Sequence, residues 1–198
     1  MIPKAEVGEC RGIALLEIIY KLISLIINGP GRLISSVNFD DAMHSNLPRR
    51  GTGTAITKAK LLAQLRGRID EPLFMVFVDL LNKAYYLLER ERAMRILARY
   101  GVGANIRCII NLIWQRDTMV PPQAGYFGKP FEAKRGVRVV DTMSPMIFNI
   151  TVDTVICHWR HVHHPDDIKE LALFFADDGI LTDMTQVRVQ ASLDIIIQ

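Results

Sequence analysis

Apolar residues at positions 15, 16, 19, 20, 23, 26 and 27 recur at the spacing of one helical face, and Asn28-Gly29-Pro30-Gly31 ends the helix they predict. The run from Gly12 to Asn28 is the most apolar of the chain. Glu17 and Lys21 interrupt it, so it reads as a buried helix rather than a membrane span. After the polar stretch His44 to Arg50, Thr54 is placed to cap a helix over Ala55 to Gln64. Asp70-Glu71-Pro72 then breaks the chain ahead of Leu73 to Val78, a continuous apolar run that ends at Asp79. Such a run between breakers predicts a buried central strand.

Two helices follow, about Leu88 to Tyr100 and Ala104 to Gln115, split by Gly101-Val102-Gly103. Gly128-Lys129 predicts a hairpin turn between Tyr126-Phe127 and Phe131-Glu132. Ser144-Pro145 opens a further helix to about His161, with Ser as its cap. Leu171 to Phe175 and Ile180 to Thr182 read as strands joined by Ala176-Asp177-Asp178-Gly179, where Asp-Gly is a hairpin signal. Thr185 caps the last helix. This order of elements predicts an α+β class with an antiparallel sheet packed on helices.

With 198 residues, 49% apolar and 23% charged, the chain has the profile of one large folded domain or two small lobes around a shared core. A net charge of +3 is compatible with a polyanionic partner without requiring one. Cys10, Cys108 and Cys157 lie far apart and form no disulfide framework or CxxC zinc pattern. With no secretory signal and no membrane span, the expected setting is intracellular and soluble. Cys157 and His161 stand one helical turn apart, but no second pair accompanies them. Together with His158, His163 and His164 they read as a helix-end cluster rather than a metal site.

Two places put acidic residues at the end or turn of an apolar strand: Asp79, and the pair Asp177-Asp178. Three carboxylates from neighbouring strands could hold two Mg²⁺ ions for phosphoryl transfer. Equally, Asp178-Gly179 could make a tight turn and Asp79 cap the next helix. Spacing alone leaves both readings open.

The wider sequence around these residues resembles a known family. FMVFVDLLNKAYY (Phe74 to Tyr86), RGVRVVDTMSPMIFNI (Arg135 to Ile150) and FFADDG (Phe174 to Gly179) resemble, in order, three catalytic motifs of reverse transcriptases. Upstream, PKAEVGECRGIALLEIIYKLI and PRRGTGTAI are similar to finger motifs of the non-LTR retrotransposon and group II intron enzymes. The resemblance implies polymerase-like fingers (about residues 1–72) and a palm with inserted helices (about 73–198), with the thumb absent. It implies RNA-directed DNA synthesis at a primer 3′-hydroxyl with two Mg²⁺ ions, Mn²⁺ being a substitute. The partners implied are an RNA or DNA template with primer and deoxynucleoside triphosphates, and no membrane.

Carried over residue by residue, Asp79, Asp177 and Asp178 match the catalytic, metal-holding carboxylates, and Leu80 offers a backbone oxygen. Lys4 and Arg11 match the finger cations on the incoming triphosphate. Tyr85 matches the aromatic under the nucleotide sugar, and Arg49 and Arg50 are placed to meet template phosphates. Two features depart from the family pattern. Val139-Val140-Asp141-Thr142 stands where Gln-Gly-Asp-Pro is usual, which implies a crowded pocket. One residue is added between Asp79 and Lys83, and Tyr86 replaces the motif's second Asp. These departures imply a weak or inactive fragment. An inactive retroelement remnant and a nucleic-acid-binding platform are the alternative expectations.

Overall fold

The computed structural model describes residues 15–29, 39–79, 84–123, 126–163 and 172–197. Helices α1 (Ile18–Ile27) and α2 (Thr52–Arg68) precede strand β1 (Phe74–Asp79). Helices α3 (Ala84–Leu87), α4 (Arg90–Arg99) and α5 (Ala104–Gln115) follow. Next come four short strands: β2 (Thr118–Met119), β3 (Pro122–Gln123), β4 (Tyr126–Phe127) and β5 (Phe131–Glu132). Helix α6 (Ser144–His163), the hairpin β6 (Ala172–Phe175) and β7 (Asp178–Asp183), and helix α7 (Gln186–Ile197) complete the order. Thr185 caps α7, accepting a hydrogen bond from the Arg188 N–H at 3.3 Å.

The main sheet is antiparallel in the order β1-β7-β6, so the expected central strand β1 lies at an edge, with Phe77 74% exposed. The hairpin explains the exchange. Strands β6 and β7 must pair with each other, and the outer edge of β6 is already taken. There Phe174 N–H donates to the Ala42 carbonyl (2.7 Å) and His44 N–H to the Phe174 carbonyl (2.8 Å). The free side of β7 is left for β1. A continuous apolar run does not separate an edge strand from a central one when helix α7 covers one of its faces.

The core gathers Met146, Ile147, Ile150, Ile156 and Trp159 of α6 with Leu97, Phe174 and Leu181. Polar ties fix the segment after residue 39 to α6. Arg160 Nε donates to Asp40 Oδ2 (2.6 Å), and Asn149 Nδ2 donates to the Ser45 carbonyl (2.5 Å). The Tyr100 hydroxyl donates to Asp153 (2.7 Å), which also accepts the Asp40 N–H (2.8 Å).

Four other expectations change. Helix α1 buries Ser24 and Ile27 but exposes Ile18, Ile19 and Leu22, because its apolar positions run around most of the cylinder and only one arc meets the core. Helix α2 begins earlier, so Thr54 lies inside its first turn. From there its hydroxyl accepts the Gly51 N–H at 2.9 Å, which is the return half of a capping box. The hairpin expected at Gly128-Lys129 is instead two nested pairs, β3 with β4 and β2 with β5. Pro121, Pro122 and Pro130 lack the N–H that a continuous ladder needs. Ser144 is the first residue of α6 rather than its cap, and its hydroxyl donates to Asp141 (3.2 Å), which also accepts the Met143 N–H (3.3 Å).

Candidate active site

The carboxyl end of β1 meets the start of β7. Asp79 and Asp178 are direct partners in the ladder, the last of a register that runs back to Phe74 and Asp183. Residues opposed in this way send their side chains to the same face of a sheet. The turn ahead of Asp178 has only two residues, Ala176 and Asp177, with Phe175 and Asp178 closing the ladder. Ala176 takes a left-handed φ of +54°, a conformation that costs a residue with a Cβ about 1 kcal/mol. The expected turn residue Gly179 lies inside β7 for another reason: a Cβ there would come within 2.5 Å of the Phe174 ring opposite it. Asp177 is half-buried, while Asp79 and Asp178 are exposed.

Tyr85 sits beside this end of the sheet on the single turn α3. Its ring stacks on Phe148, centroids 4.3 Å apart and planes 15° from parallel. Burial, and then the charge of Asp177, push its hydroxyl up to about 12. Its carbonyl accepts the Val137 N–H at 2.7 Å, and the Leu88 carbonyl accepts the Gly136 N–H at 2.8 Å. A strap of residues 136–138 therefore runs along α3. Gly136 is required in it twice over: φ is +77°, and a Cβ would lie 2.6 Å from the Tyr86 backbone.

A buried charge network anchors the strap. Asp117 takes Arg90 on one carboxylate oxygen (2.5 Å) and Arg138 on the other. Arg90 also donates to the Gly136, Trp114 and Ala133 carbonyls. The Arg138 guanidinium lies over the Tyr20 ring at 5.1 Å, and the Tyr20 hydroxyl donates to Asp141 at 3.0 Å. Burial, and then Asp141, raise the Tyr20 hydroxyl well above its ordinary range. Val139 and Val140 occupy the turn between these anchors and are 47% and 43% exposed, so they are not packed into the fold. Sequence reasoning missed Arg90 and Asp117, since residues far apart in the chain that meet only in three dimensions leave no local signal.

Arg49 and Arg50 separate in the structure. Arg49 is exposed at φ +61°. Arg50 turns inward, donating to the Asp40 and Met43 carbonyls and pairing with Asp41 at 3.0 Å. Its guanidinium thus secures the segment beneath α2 and is largely occupied there. Lys4, Arg11 and Leu80 lie outside the described residues.

Carboxylate oxygens are the donors that Mg²⁺ and Mn²⁺ take, and Asp79, Asp177 and Asp178 stand at one end of one sheet. The donor type and backbone placement fit a divalent cation. Among the described residues, however, no three acidic, His or Cys side chains gather into a ligand cluster. Carboxylates repel one another until a cation draws them together.

A polymerase-like fold with carboxylates at the tip of a palm sheet defines the class. The family model described as reverse transcriptase (RNA-dependent DNA polymerase) matches residues 2–198, and the chain belongs to that family. Its similarity runs to a non-LTR element. It is 24% identical over 204 residues to the retrovirus-related Pol polyprotein from type-2 retrotransposable element R2DM of Drosophila melanogaster, covering 98% of this chain and 18% of that protein. Among solved structures, apo telomerase from Candida tropicalis truncated from its C-terminal domain superposes with a TM-score of 0.62 at 14% identity. That match covers 91% of this chain and 36% of the telomerase. Telomerase from Candida albicans, in complex with a TWJ fragment of telomeric RNA, gives 0.59 at 13% identity over 91% and 31%. The fold is thus the α+β fingers–palm fold, and the chain spans about a third of these structures and under a fifth of the curated relative. The family works with divalent metal ions. No helix among the described residues is long and apolar enough to cross a membrane.

Proposed function

We propose that this chain is the fingers-and-palm part of an RNA-directed DNA polymerase, with fingers to about residue 72 and palm beyond. It would extend a primer 3′-hydroxyl with deoxynucleoside triphosphates on an RNA or DNA template. The observation that carries the reading is the ladder pairing of Asp79 with Asp178 beside a two-residue turn bearing Asp177. Two Mg²⁺ ions, held by Asp79, Asp177 and Asp178, would lower the pKa of the attacking hydroxyl and neutralise charge on the leaving oxygen.

The chain's own residues supply position. Phe148 and the Val137 N–H hold the Tyr85 ring and backbone from two sides, so the ring offers a rigid floor for the sugar of an incoming nucleotide. Strap residues 136–138, locked through Arg138 and Asp117, set the height of the Val139-Val140 turn beside that floor. Lys4 and Arg11 would meet the triphosphate, Leu80 would lend its carbonyl to the ions, and Arg49 is free to meet template phosphate.

The test is primer extension at low salt with Mg²⁺ or Mn²⁺, comparing the chain with Asp177→Asn and with the pair Val139→Gln, Val140→Gly. The reading expects weak extension by the unaltered chain, because branched residues at the pocket misplace the reacting groups and about 1 Å costs roughly 100-fold. Extension should vanish in Asp177→Asn. Equal extension by Asp177→Asn would contradict the assignment.

A further inference from the structure

The ribbon formed by β2 to β5 carries aromatic rings that the catalytic reading does not use. Tyr126 is 81% exposed, Phe127 87% and Phe131 51%. Large rings left this open are normally folded in, since each can bury about 150–250 Å². Charge is concentrated on the same segment. Between residues 116 and 135 the exposed side chains include Arg116, Lys129, Lys134 and Arg135 against the single acid Glu132. The other acid, Asp117, is buried and spent on Arg90 and Arg138. A chain whose net charge is only +3 thus collects four exposed cations on this ribbon and its two flanks. None of the four forms an ion pair among the described residues.

The ribbon is also anchored. The Ala133 N–H donates to the Asp117 carbonyl (2.8 Å) and the Gly128 N–H to the Pro121 carbonyl (2.8 Å). Arg90 holds the Ala133 and Gly136 carbonyls beneath it. From Glu132 the chain passes directly into the strap beside Tyr85. Exposed rings interleaved with cations on a fixed platform are the combination that stacks unpaired bases while neutralising their phosphates. A purely apolar partner would leave the four cations desolvated and unpaired.

We propose that the strands β2 to β5, with Arg116, Lys129, Lys134 and Arg135, form a binding surface for single-stranded nucleic acid, distinct from the carboxylate site and continuous with it through the strap. Tyr126 and Phe127 stack on bases, and Lys129, Lys134 and Arg135 meet phosphates. The surface deepens the polymerase reading by giving the chain a second hold on an unpaired strand, yet its binding does not depend on catalysis.

The experiment is fluorescence anisotropy with a labelled single-stranded oligonucleotide of about 16 nucleotides, in RNA and DNA forms, over a salt series. Three proteins are compared: the chain, the pair Tyr126→Ala with Phe127→Ala, and the triple Lys129→Gln, Lys134→Gln, Arg135→Gln. All altered side chains are exposed, and circular dichroism checks that the fold is kept. The aromatic pair should weaken binding about tenfold or more with the salt slope unchanged. The cation triple should flatten the slope by about 2. Duplex binding should be insensitive to the aromatic pair. Unchanged binding in the aromatic pair overturns the proposal, as does failure of the chain to bind single strands at all. So does sedimentation showing that the pair only dissolves a self-associated form, which would make the ribbon a protein contact. Binding that follows the predicted pattern in a chain without extension activity would sustain this surface while removing the polymerase reading. Extension without an aromatic effect would do the reverse.

Discussion

Helices α6 and α2 are similar in length, 20 and 17 residues, and differ in almost everything that holds them. Helix α6 buries Met146, Ile147, Phe148, Ile150, Ile156 and Trp159, and its polar residues Asn149 and Asp153 are buried with partners. Helix α2 buries no residue. It stands mainly on nearby terms: the Gly51–Thr54 bond at its start, Arg66 and Arg68 in its last turn, side-chain bonds from Thr54 to His44 and from Lys58 to the Asp41 carbonyl, and a light contact with β6. The difference separates two ways in which a sequence makes a helix. One is dictated by a core that cannot close without it, and the other by propensity and caps that leave its surface open. Positional precision at the carboxylates comes from the first kind. Phe148 of α6 carries Tyr85, and the cores of α6 and β6 meet at Phe174, which roofs Gly179 beside Asp178.

The sharpest break of this contrast lies in the strap. Gly136→Ala should cost about 4 kcal/mol, since a left-handed φ and a backbone overlap act together. Urea denaturation reads it, and a loss under about 1 kcal/mol would mean the strap is not fixed to α3. Next, Ile150→Ala in α6 should cost about 3 kcal/mol, whereas Leu65→Ala in α2 should cost under about 0.5. Comparable losses in the two would erase the distinction between them.

Alkali acts on the same packed half. The hydroxyls of Tyr20, Tyr85 and Tyr100 are all raised, in each case first by burial, with Asp141, Asp177 and Asp153 adding to it. A raised pKa keeps the proton longer in the folded state. The stabilisation is therefore full below pH 10, the ordinary tyrosine value, and is lost as pH rises from there through about 12 for Tyr85. A midpoint for thermal unfolding that held steady above pH 10 would contradict this packing. The smallest effect is expected at the turn. Ala176→Gly relieves the left-handed φ and should stabilise by about 0.5 kcal/mol, since the freedom of glycine in the unfolded chain offsets part of the gain.

Much of this was readable from the residues. The α5 limits, the carboxylates at a strand end and a hairpin, and the cap at Thr185 all follow local rules, and local rules are what a sequence carries. What failed was relational. The run Leu73 to Val78 is apolar enough for a central strand, and nothing in it records that segment 42–44 has taken the edge of β6. Asp178-Gly179 has turn composition, yet glycine is there to let the Phe174 ring pass, a contact made across strands. The Arg90–Asp117–Arg138 network joins three distant positions and had no signal at all. The resemblance places Arg50 to meet template phosphate, and nothing in the sequence marks its acceptors, because they are backbone carbonyls, which every residue has.

The central claim is that Asp79, Asp177 and Asp178 form one cation site, and manganese binding tests it without any need for catalysis. Titration of Mn²⁺ into the chain, read as the loss of the free-ion paramagnetic resonance signal, should reveal a site that weakens about tenfold or more in Asp79→Asn and in Asp177→Asn. The exposed control Asp41→Asn should leave it unchanged. Equal affinity in all four proteins would contradict the account, because the three carboxylates would then share an end of the sheet without sharing an ion.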